Sequence, residues 1–166
     1  VVIACPDDAL NTPVAEMARH YGIDCYTGSE TDLIDRIYQA AKPYGPDAVV
    51  WITADCPLVD PGIVDRVIRT LIDGRGKYGI VNTGRPNKPR CIPDGLDASV
   101  LAFSVVERLW REIKGDHWRE WFPLFIDAYR EEYNCYSLPC NTDMSYLHWT
   151  LDNPEDINLM RWMYQE

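Results

Sequence analysis

Two aspartates occur in the same sequence context, in which an apolar segment is followed by Asp, then Pro, and then a helix-forming pattern. Asp55 follows the apolar segment 47–53, and Asp152 follows the segment 146–151. In open α/β sheets, ligands bind beyond the carboxyl ends of the strands. Mg²⁺ needs only one or two carboxylates besides water and substrate phosphates, so this pair is a candidate magnesium site. Spacing alone leaves a second interpretation open, in which each Asp only closes a turn or caps a helix.

An irregular stretch rich in Pro and Arg carries further candidate residues. Arg85, Lys88 and Arg90 are three cations within six residues of an acidic chain, and they precede Asp94 and Asp97. Cations on a loop near a metal site can bind phosphate or carboxylate groups, and Arg does so with two parallel hydrogen bonds. The alternative is a solvated loop, with Asp97 as a residue at the start of a strand. We expect binding roles for Arg85 and Arg90, and a solvated side chain for Lys88.

The other reactive and aromatic residues favour structural roles. Scattered cysteines without a CxxC pair indicate reduced, structural thiols rather than a zinc or redox site. No histidine has a partner at metal-ligand spacing, and the aromatic residues at 110–129 are typical of a core or a subunit contact. These residues are the cysteines Cys5, Cys25, Cys56, Cys91, Cys135 and Cys140, and the histidines His20, His117 and His148.

The composition is that of one globular domain and excludes several classes of protein. The chain has 166 residues, of which 46% are hydrophobic and 25% are charged, and its net charge is −10. This acidity argues against nucleic-acid binding, which needs clustered Lys and Arg. No apolar run is long enough to span a membrane, and the cytoplasm is the expected location. The chain opens inside an apolar run, so an upstream segment is expected.

Alternating strand and helix patterns predict an α/β fold with a mostly parallel sheet between helical layers. The run 47–53 is apolar on both faces, which is typical of a central parallel strand. Predicted helix caps are Asn11, Ser29 or Thr31, Asp60, Ser104 and Asn153, and one helix is predicted across 118–129. The predicted strands are 1–5, 23–26, 47–53, 78–82, 98–103, 133–138 and 146–151.

Four sequence blocks in the same order resemble the cytidylyltransferases that activate acidic sugars, including the ketodeoxyoctonate and acylneuraminate enzymes. The central block, 49–65, contains Thr-Ala-Asp-Cys-Pro-Leu-Val-Asp-Pro, which is closest to the branch of spore coat polysaccharide biosynthesis. The other blocks are 29–41, 93–97 (Pro-Asp-Gly-Leu-Asp) and 149–156 (Trp-Thr-Leu-Asp-Asn-Pro-Glu-Asp).

The resemblance implies a Rossmann-like, three-layer nucleotide-diphospho-sugar transferase fold. It also implies that Asp55 and Asp152 bind Mg²⁺, and that Asp94 and Asp97 contact sugar hydroxyls. CTP and an acidic sugar would be the substrates, with a CMP-sugar and pyrophosphate as products, and a homodimer through the aromatic segment is expected.

Three departures from the family pattern argue for impaired activity. Nothing matches the N-terminal Leu-x-x-Arg-x-x-Ser-x-Arg-Leu-x-x-Lys loop that grips the nucleotide, so the first strand–loop–helix unit is expected to be absent. Trp51 stands where the pattern has Arg, and Trp121 stands where it has His in an Arg-Glu-His-Val-Thr-Pro block. Two alternatives therefore remain open. One is a non-catalytic binding or assembly module with this fold, and the other is a glycosyltransferase of the related nucleotide-sugar fold.

Overall fold

The computed structural model describes residues 1–84, 91–139 and 142–165, and these form seven helices and six strands. The strands are β1 (Val2–Pro6), β2 (Asp24–Gly28), β3 (Ala48–Trp51), β4 (Ile80–Asn82), β5 (Ser99–Ala102) and β6 (Cys135–Ser137). The helices are α1 (Thr12–His20), α2 (Leu33–Ala41), α3 (Pro61–Asp73), α4 (Phe103–Glu112), α5 (Asp116–Glu120), α6 (Phe122–Ala128) and α7 (Asp156–Met163). A short 3₁₀ helix, Lys42–Tyr44, follows α2.

The chain divides into two compact units. The first contains Val1–Val49 and Ala102–Tyr129, and the second contains Val50–Leu101 and Arg130–Glu166. In the first unit, β1 and β2 form a parallel pair with Val2 opposite Asp24. Within the described residues, no helix is both long enough and apolar enough to cross a bilayer.

The first unit is held together by the packing of α2 and α4. The rings of Tyr38 and Trp110 stack with their centroids 4.4 Å apart, and Ile34, Val106 and Leu109 are fully buried. Burial of each such aliphatic side chain contributes about 1.5–3 kcal/mol relative to exposure. This apolar contact explains why α4 forms on an amphipathic sequence without a side-chain cap.

A four-stranded sheet has the order β3-β5-β4-β6, and its strands β4 and β6 lie entirely in the second unit. Strand β4 is antiparallel to β5 and parallel to β6. Ile80, Val81, Val100 and Leu101 bury both faces of the middle strands. The α/β class is therefore confirmed, with sheets that are parallel in part.

Local signals predicted some helix starts correctly and others wrongly. Asp60 caps α3 by accepting the Ile63 amide hydrogen at 2.9 Å, as predicted. Helix α2, however, is capped by Asp32 rather than by Ser29 or Thr31. The Asp32 carboxylate accepts the Asp35 amide hydrogen at 3.0 Å, which places the cap one residue beyond the predicted position.

The expected cap of α4 and the expected long helix at 118–129 are also corrected. Helix α4 begins at Phe103, so Ser104 lies inside its first turn. The segment 118–129 belongs to two helices, because α5 ends at Glu120 and α6 begins at Phe122 with Pro123 in its first turn. Proline lacks an amide hydrogen and is tolerated at a helix start but not in a helix interior.

Two predicted strands differ from the structure. Strand β3 ends the order of its sheet instead of lying in the centre, and Val50 is 38% exposed. The predicted strand 146–151 forms only a single bridge, between Asp94 and His148. Its backbone hydrogen bonds go to two different loops, so no continuous ladder can form.

The cysteines agree only in part with the expectation that they are reduced thiols. Cys5, Cys25, Cys56 and Cys135 are not disulfide-bonded. Cys91 is disulfide-bonded, which corrects the expectation that all the cysteines are reduced.

Candidate functional site

An extended segment of the second unit, residues 147–152, joins the loops that carry the candidate aspartates. The Leu151 amide donates to the Asp55 carbonyl at 2.8 Å. The Trp149 amide donates to the Asp94 carbonyl at 2.7 Å, and the Asp94 amide donates to the Leu147 carbonyl at 3.0 Å. Asp152 therefore directly follows Leu151, which is hydrogen-bonded to Asp55, and the loops of Asp55 and Asp94 are both bonded to this one segment.

Gly95 permits the close approach of the Asp94 loop to this segment. Its φ is +100°, a conformation that favours glycine. A Cβ atom at this position would lie 2.4 Å from the carbonyl carbon and oxygen of Trp149 and 2.8 Å from the Thr150 nitrogen. Any larger residue would therefore push the two backbones apart.

The side chains of His148, Thr150 and Asp152 interact with one another along this segment. The Thr150 hydroxyl donates to Oδ2 of Asp152 at 2.6 Å and lies 2.8 Å from Nε2 of His148. A hydroxyl has one hydrogen to donate, so Thr150 must accept from His148, and Nε2 carries a hydrogen. The other ring nitrogen, Nδ1, lies 3.5 Å from Oδ2 of Asp94. One imidazole therefore contacts Asp94 and, at 3.3 Å, Asp152.

Asp55 and Asp97 both lie close to the buried thiol of Cys56. Burial is the main reason that the pKa of Cys56 is raised, and the negative charges of Asp55 and Asp97 also raise it, while the hydrogen bond with Thr53 lowers it. The thiol is 3.6 Å from Oδ1 of Asp55. A raised pKa favours the protonated thiol, which is typical of a structural cysteine rather than of a nucleophile.

Asp156 holds the loop of Asp152 in place. Its Oδ2 accepts the amide hydrogens of Asn153 at 2.7 Å and of Asp152 at 3.0 Å. These bonds replace the predicted Asn153 cap, because α7 begins at Asp156 itself. The pKa of Asp156 is lowered chiefly by the bond from the Asn153 amide.

The structure brings the four candidate aspartates into one unit. Asp55, Asp94 and Asp97 are half-buried, and Asp152 is exposed. Within the described ranges, no Lys or Arg lies at salt-bridge distance from Asp55 or Asp152. The candidate cations Arg85 and Arg90, together with Lys88, lie outside the described residues, so their binding roles stay predictions.

The side chains at this site include oxygen donors for a metal ion but no preformed protein cage. Among the residues that the structure describes, no group of three or more His, Cys, Asp and Glu side chains is arranged to hold a metal. Asp55 and Asp152 remain the candidate pair. The two ring nitrogens of His148 face different carboxylates, so this ring is poorly placed to join both in one metal site.

Two residues near the candidate metal ligands were not predicted as functional. His148 was interpreted as structural, and Thr150 was noted only as part of a sequence block. A signal for both exists in the sequence, because side chains at alternate positions of an extended segment lie on the same side. His148, Thr150 and Asp152 follow that period, but the partner Asp94 is more than fifty residues away.

A cleft of about 380 Å³ lies beside the Asp94 loop. Ile92, Pro93 and Leu96 contribute apolar walls, and Arg66 of α3, which donates to the Pro139 carbonyl at 3.2 Å, also lines the cleft. The cleft is therefore suited to a ligand with both apolar and anionic parts.

Comparisons with known proteins agree with the sequence blocks. No protein-family model matches the chain. An uncharacterized protein of Methanocaldococcus jannaschii is 28% identical over 72% of this chain and 46% of its own length. The spore coat polysaccharide biosynthesis protein SpsF of Bacillus subtilis is 22% identical over 100% of this chain and 67% of its own length. The chain thus spans about half to two thirds of these curated relatives.

Two solved structures have the same fold. A cytidylyltransferase from Leptospira borgpetersenii matches with a TM-score of 0.89 at 26% identity, over 97% of this chain and 66% of that chain. CMP:2-keto-3-deoxy-manno-octonic acid synthetase, in a complex with CTP, matches with a TM-score of 0.66 at 9% identity, over 97% of this chain and 79% of that chain. The second likeness is one of fold alone, whereas the first extends to sequence.

Proposed function

From its resemblance to sugar-acid cytidylyltransferases in sequence and in fold, we propose that this protein is a Mg²⁺-dependent nucleotidyltransferase. It would transfer CMP from CTP to an acidic sugar. A sugar hydroxyl oxygen forms a bond to the α-phosphorus of CTP as the bond from that phosphorus to the departing pyrophosphate breaks. The observation that supports this most strongly is the hydrogen bond between Leu151 and Asp55, which holds two candidate carboxylate loops together.

The residues present fit a magnesium ion. Carboxylate oxygens are the ligands that this ion prefers, and it retains several waters in most protein sites. Asp152 is exposed and Asp55 half-buried, which leaves room for water and for phosphate oxygens. When bound, the ion would neutralise charge on the triphosphate.

The remaining aspartates are proposed to bind the sugar. Asp94 and Asp97 lie on the same loop as Pro93 and Leu96, which line the cleft. Carboxylates accept hydrogen bonds from sugar hydroxyls. The Arg66 guanidinium in the same cleft is suited to the sugar's carboxylate. Catalysis by such a site depends on holding the reactants in place, because no protein nucleophile is required.

The 166-residue chain by itself is proposed to turn CTP over slowly. Its sequence has no match to the loop that grips the triphosphate in the resembling enzymes. A non-catalytic binding module with the same fold is the alternative. It is favoured by Trp51 and Trp121, which replace polar residues of the family pattern.

The test is a pyrophosphate-release assay with CTP, Mg²⁺ and a panel of acidic sugars. Asp55→Asn and Asp152→Asn should each lower the rate by about 100-fold or more, because they remove charge stabilisation of several kcal/mol. Asp65→Asn is the matched control, since Asp65 is an exposed residue of α3 paired with Arg69. Pyrophosphate release that is equal in all four proteins would refute the metal role.

If the wild-type chain releases no detectable pyrophosphate with any sugar, a second measurement is needed, namely CTP binding by calorimetry. CTP binding without turnover is the result expected of the slow chain, whereas a chain that neither binds CTP nor releases pyrophosphate would support the non-catalytic module.

A homodimer through α5 and α6 is proposed as the assembled form. Trp118, Trp121, Leu124 and Tyr129 are between 38% and 51% exposed, which is a large apolar surface for a monomer to present. Sedimentation velocity should give twice the 19.1 kDa mass of one chain. A single species at the monomer mass across micromolar concentrations would rule this assembly out.

A further inference from the structure

Thr150 is a buried polar residue whose hydrogen bonds all lead to the candidate site. It is 6% exposed, although most threonines lie at the surface. Its hydroxyl donates to Oδ2 of Asp152 at 2.6 Å and accepts from Nε2 of His148 at 2.8 Å. The hydroxyl therefore donates to a carboxylate and accepts from an imidazole, both of them at the candidate site.

This arrangement distinguishes the two oxygens of Asp152. Oδ2 receives the Thr150 hydroxyl and also lies 3.3 Å from His148. In the part of the chain that the structure describes, no hydrogen bond reaches Oδ1. The protein thus holds the exposed carboxylate of Asp152 through Oδ2.

We propose that Thr150 and His148 are positioning residues for Asp152, which orient its carboxylate so that Oδ1 is presented to a divalent cation. The proposal rests on the proposed function, because it assigns the partners that hold one of the two candidate metal ligands. Carboxylates that bind metals are commonly oriented by hydrogen bonds from a second layer of residues, and loss of such a partner weakens metal binding by about 10–100-fold.

His148 extends the same arrangement to Asp94. The ring lies between Asp152, at 3.3 Å from Nε2, and Asp94, at 3.5 Å from Nδ1. Backbone hydrogen bonds on both sides of Asp94 fix its loop against the segment of His148. The geometry therefore makes the orientation of Asp152 sensitive to Asp94, a residue proposed to bind the sugar.

The experiment measures Mn²⁺ affinity by electron paramagnetic resonance, with Mn²⁺ as a probe that accepts the same carboxylate ligands as Mg²⁺. Thr150→Val removes the hydroxyl with little change in shape and should weaken Mn²⁺ binding by about 10-fold. Thr150→Ser retains the hydroxyl and should restore affinity to within about 3-fold of wild type. Thermal unfolding of the same proteins is the control. A positioning role predicts weaker Mn²⁺ binding with a Tm close to that of wild type, whereas general destabilisation lowers the Tm without a selective loss of Mn²⁺ affinity.

A double-mutant cycle tests the connection to Asp94. If His148 transmits the effect, Asp94→Asn should weaken Mn²⁺ binding in the wild-type background and have less effect when His148→Leu is also present. Additive effects would overturn the transmission, because direct charge attraction from Asp94 does not need His148. His148 is exposed, so His148→Leu also tests the proposal if Thr150→Val does not fold.

The outcomes for the two proposals are distinguishable. If the wild-type chain does not bind Mn²⁺, or if Asp152→Asn binds it equally well, the proposed metal site fails. The other case is that Mn²⁺ binding depends on Asp152 but is unchanged in both Thr150→Val and His148→Leu. In that case the positioning role is wrong, and the proposed metal site is retained.

Discussion

The two units each contain a pair of important aspartates, and the partners of these pairs differ. In the first unit, Oδ1 of Asp32 accepts the Asp35 amide hydrogen. Its Oδ2 accepts a hydrogen bond from Nε of Arg119 at 2.6 Å. Asp35 accepts the Trp110 indole hydrogen at 2.6 Å and a Gln39 amide hydrogen at 3.1 Å. Both oxygens of Asp32 are therefore engaged, one of them by a guanidinium, whereas Asp35 accepts both of its hydrogen bonds at Oδ1.

In the second unit, neither Asp55 nor Asp152 is paired with a Lys or Arg among the described residues, whereas Asp32 is paired with Arg119. Their contacts among the described residues are a thiol for Asp55, and a hydroxyl and an imidazole for Asp152. Carboxylates that stabilise a fold are saturated with donors, because burial of an unpaired charge is costly. Carboxylates that bind a cation must keep oxygens available. The contrast is sharpest between Asp32, which has both oxygens engaged and an arginine partner, and Asp152, which has hydrogen-bond donors at Oδ2 alone among the described residues.

The largest effect on stability is expected from breaking the ion pair between Arg119 and Asp32. Arg119→Leu removes the ion pair with Asp32 and two hydrogen bonds to the carbonyls of Trp110 and Ile113. Because Arg119 is 17% exposed, we expect a loss of about 2–4 kcal/mol in the free energy of unfolding. Urea denaturation measures it. Asp152→Asn should change the same quantity by less than about 1 kcal/mol.

The control for this comparison is Arg69→Leu. Arg69 and Asp65 form an exposed pair on α3, with 76% and 64% of their side chains accessible. Exposed pairs contribute at most about 1 kcal/mol. Equal losses for Arg119→Leu and Arg69→Leu would mean that the Asp32 pair has no special structural role.

An intermediate effect is expected at Gly95. Gly95→Ala imposes both an unfavourable φ of +100° and a contact of 2.4 Å with Trp149, so it should cost about 1–3 kcal/mol and reduce Mn²⁺ affinity. Gly76→Ala separates the two causes, because Gly76 has a φ of +80° but open space around it. That control should cost about 1 kcal/mol and leave metal binding unchanged. Loss of Mn²⁺ binding in both variants would show that the approach of the Asp94 loop is not what matters.

The smallest effect concerns Asp156 and depends on pH. Hydrogen bonds, chiefly from Asn153, hold its pKa below the ordinary value of 3.8. A lowered pKa in the folded state means that its stabilisation is present above the unfolded pKa and is lost as pH falls through the folded pKa. The Tm of Asp156→Asn should therefore be below that of wild type at pH 6, and the difference should shrink as pH falls below 3.8. A Tm difference that persists unchanged at pH 3 would contradict the assigned cause.

The sequence by itself determined the α/β class, the family resemblance and those features that depend on neighbouring residues. The cap of α3 was predictable because Asp60 and Pro61 are adjacent and act within one helical turn. The candidate aspartates were identified because motifs preserve residue type and spacing. In each of these cases, the deciding interactions lie within a few residues along the chain.

The tertiary structure decided what the segment 146–151 does. Its pattern predicts a strand, but its hydrogen bonds are divided between the loops of Asp55 and Asp94, so it forms a bridge instead. His148 acquires its two carboxylate contacts only through this folding, since Asp94 is remote along the chain. The physical reason is that a side chain's partners are set by the backbone pairings that bring distant loops together, and residue type alone does not specify those pairings.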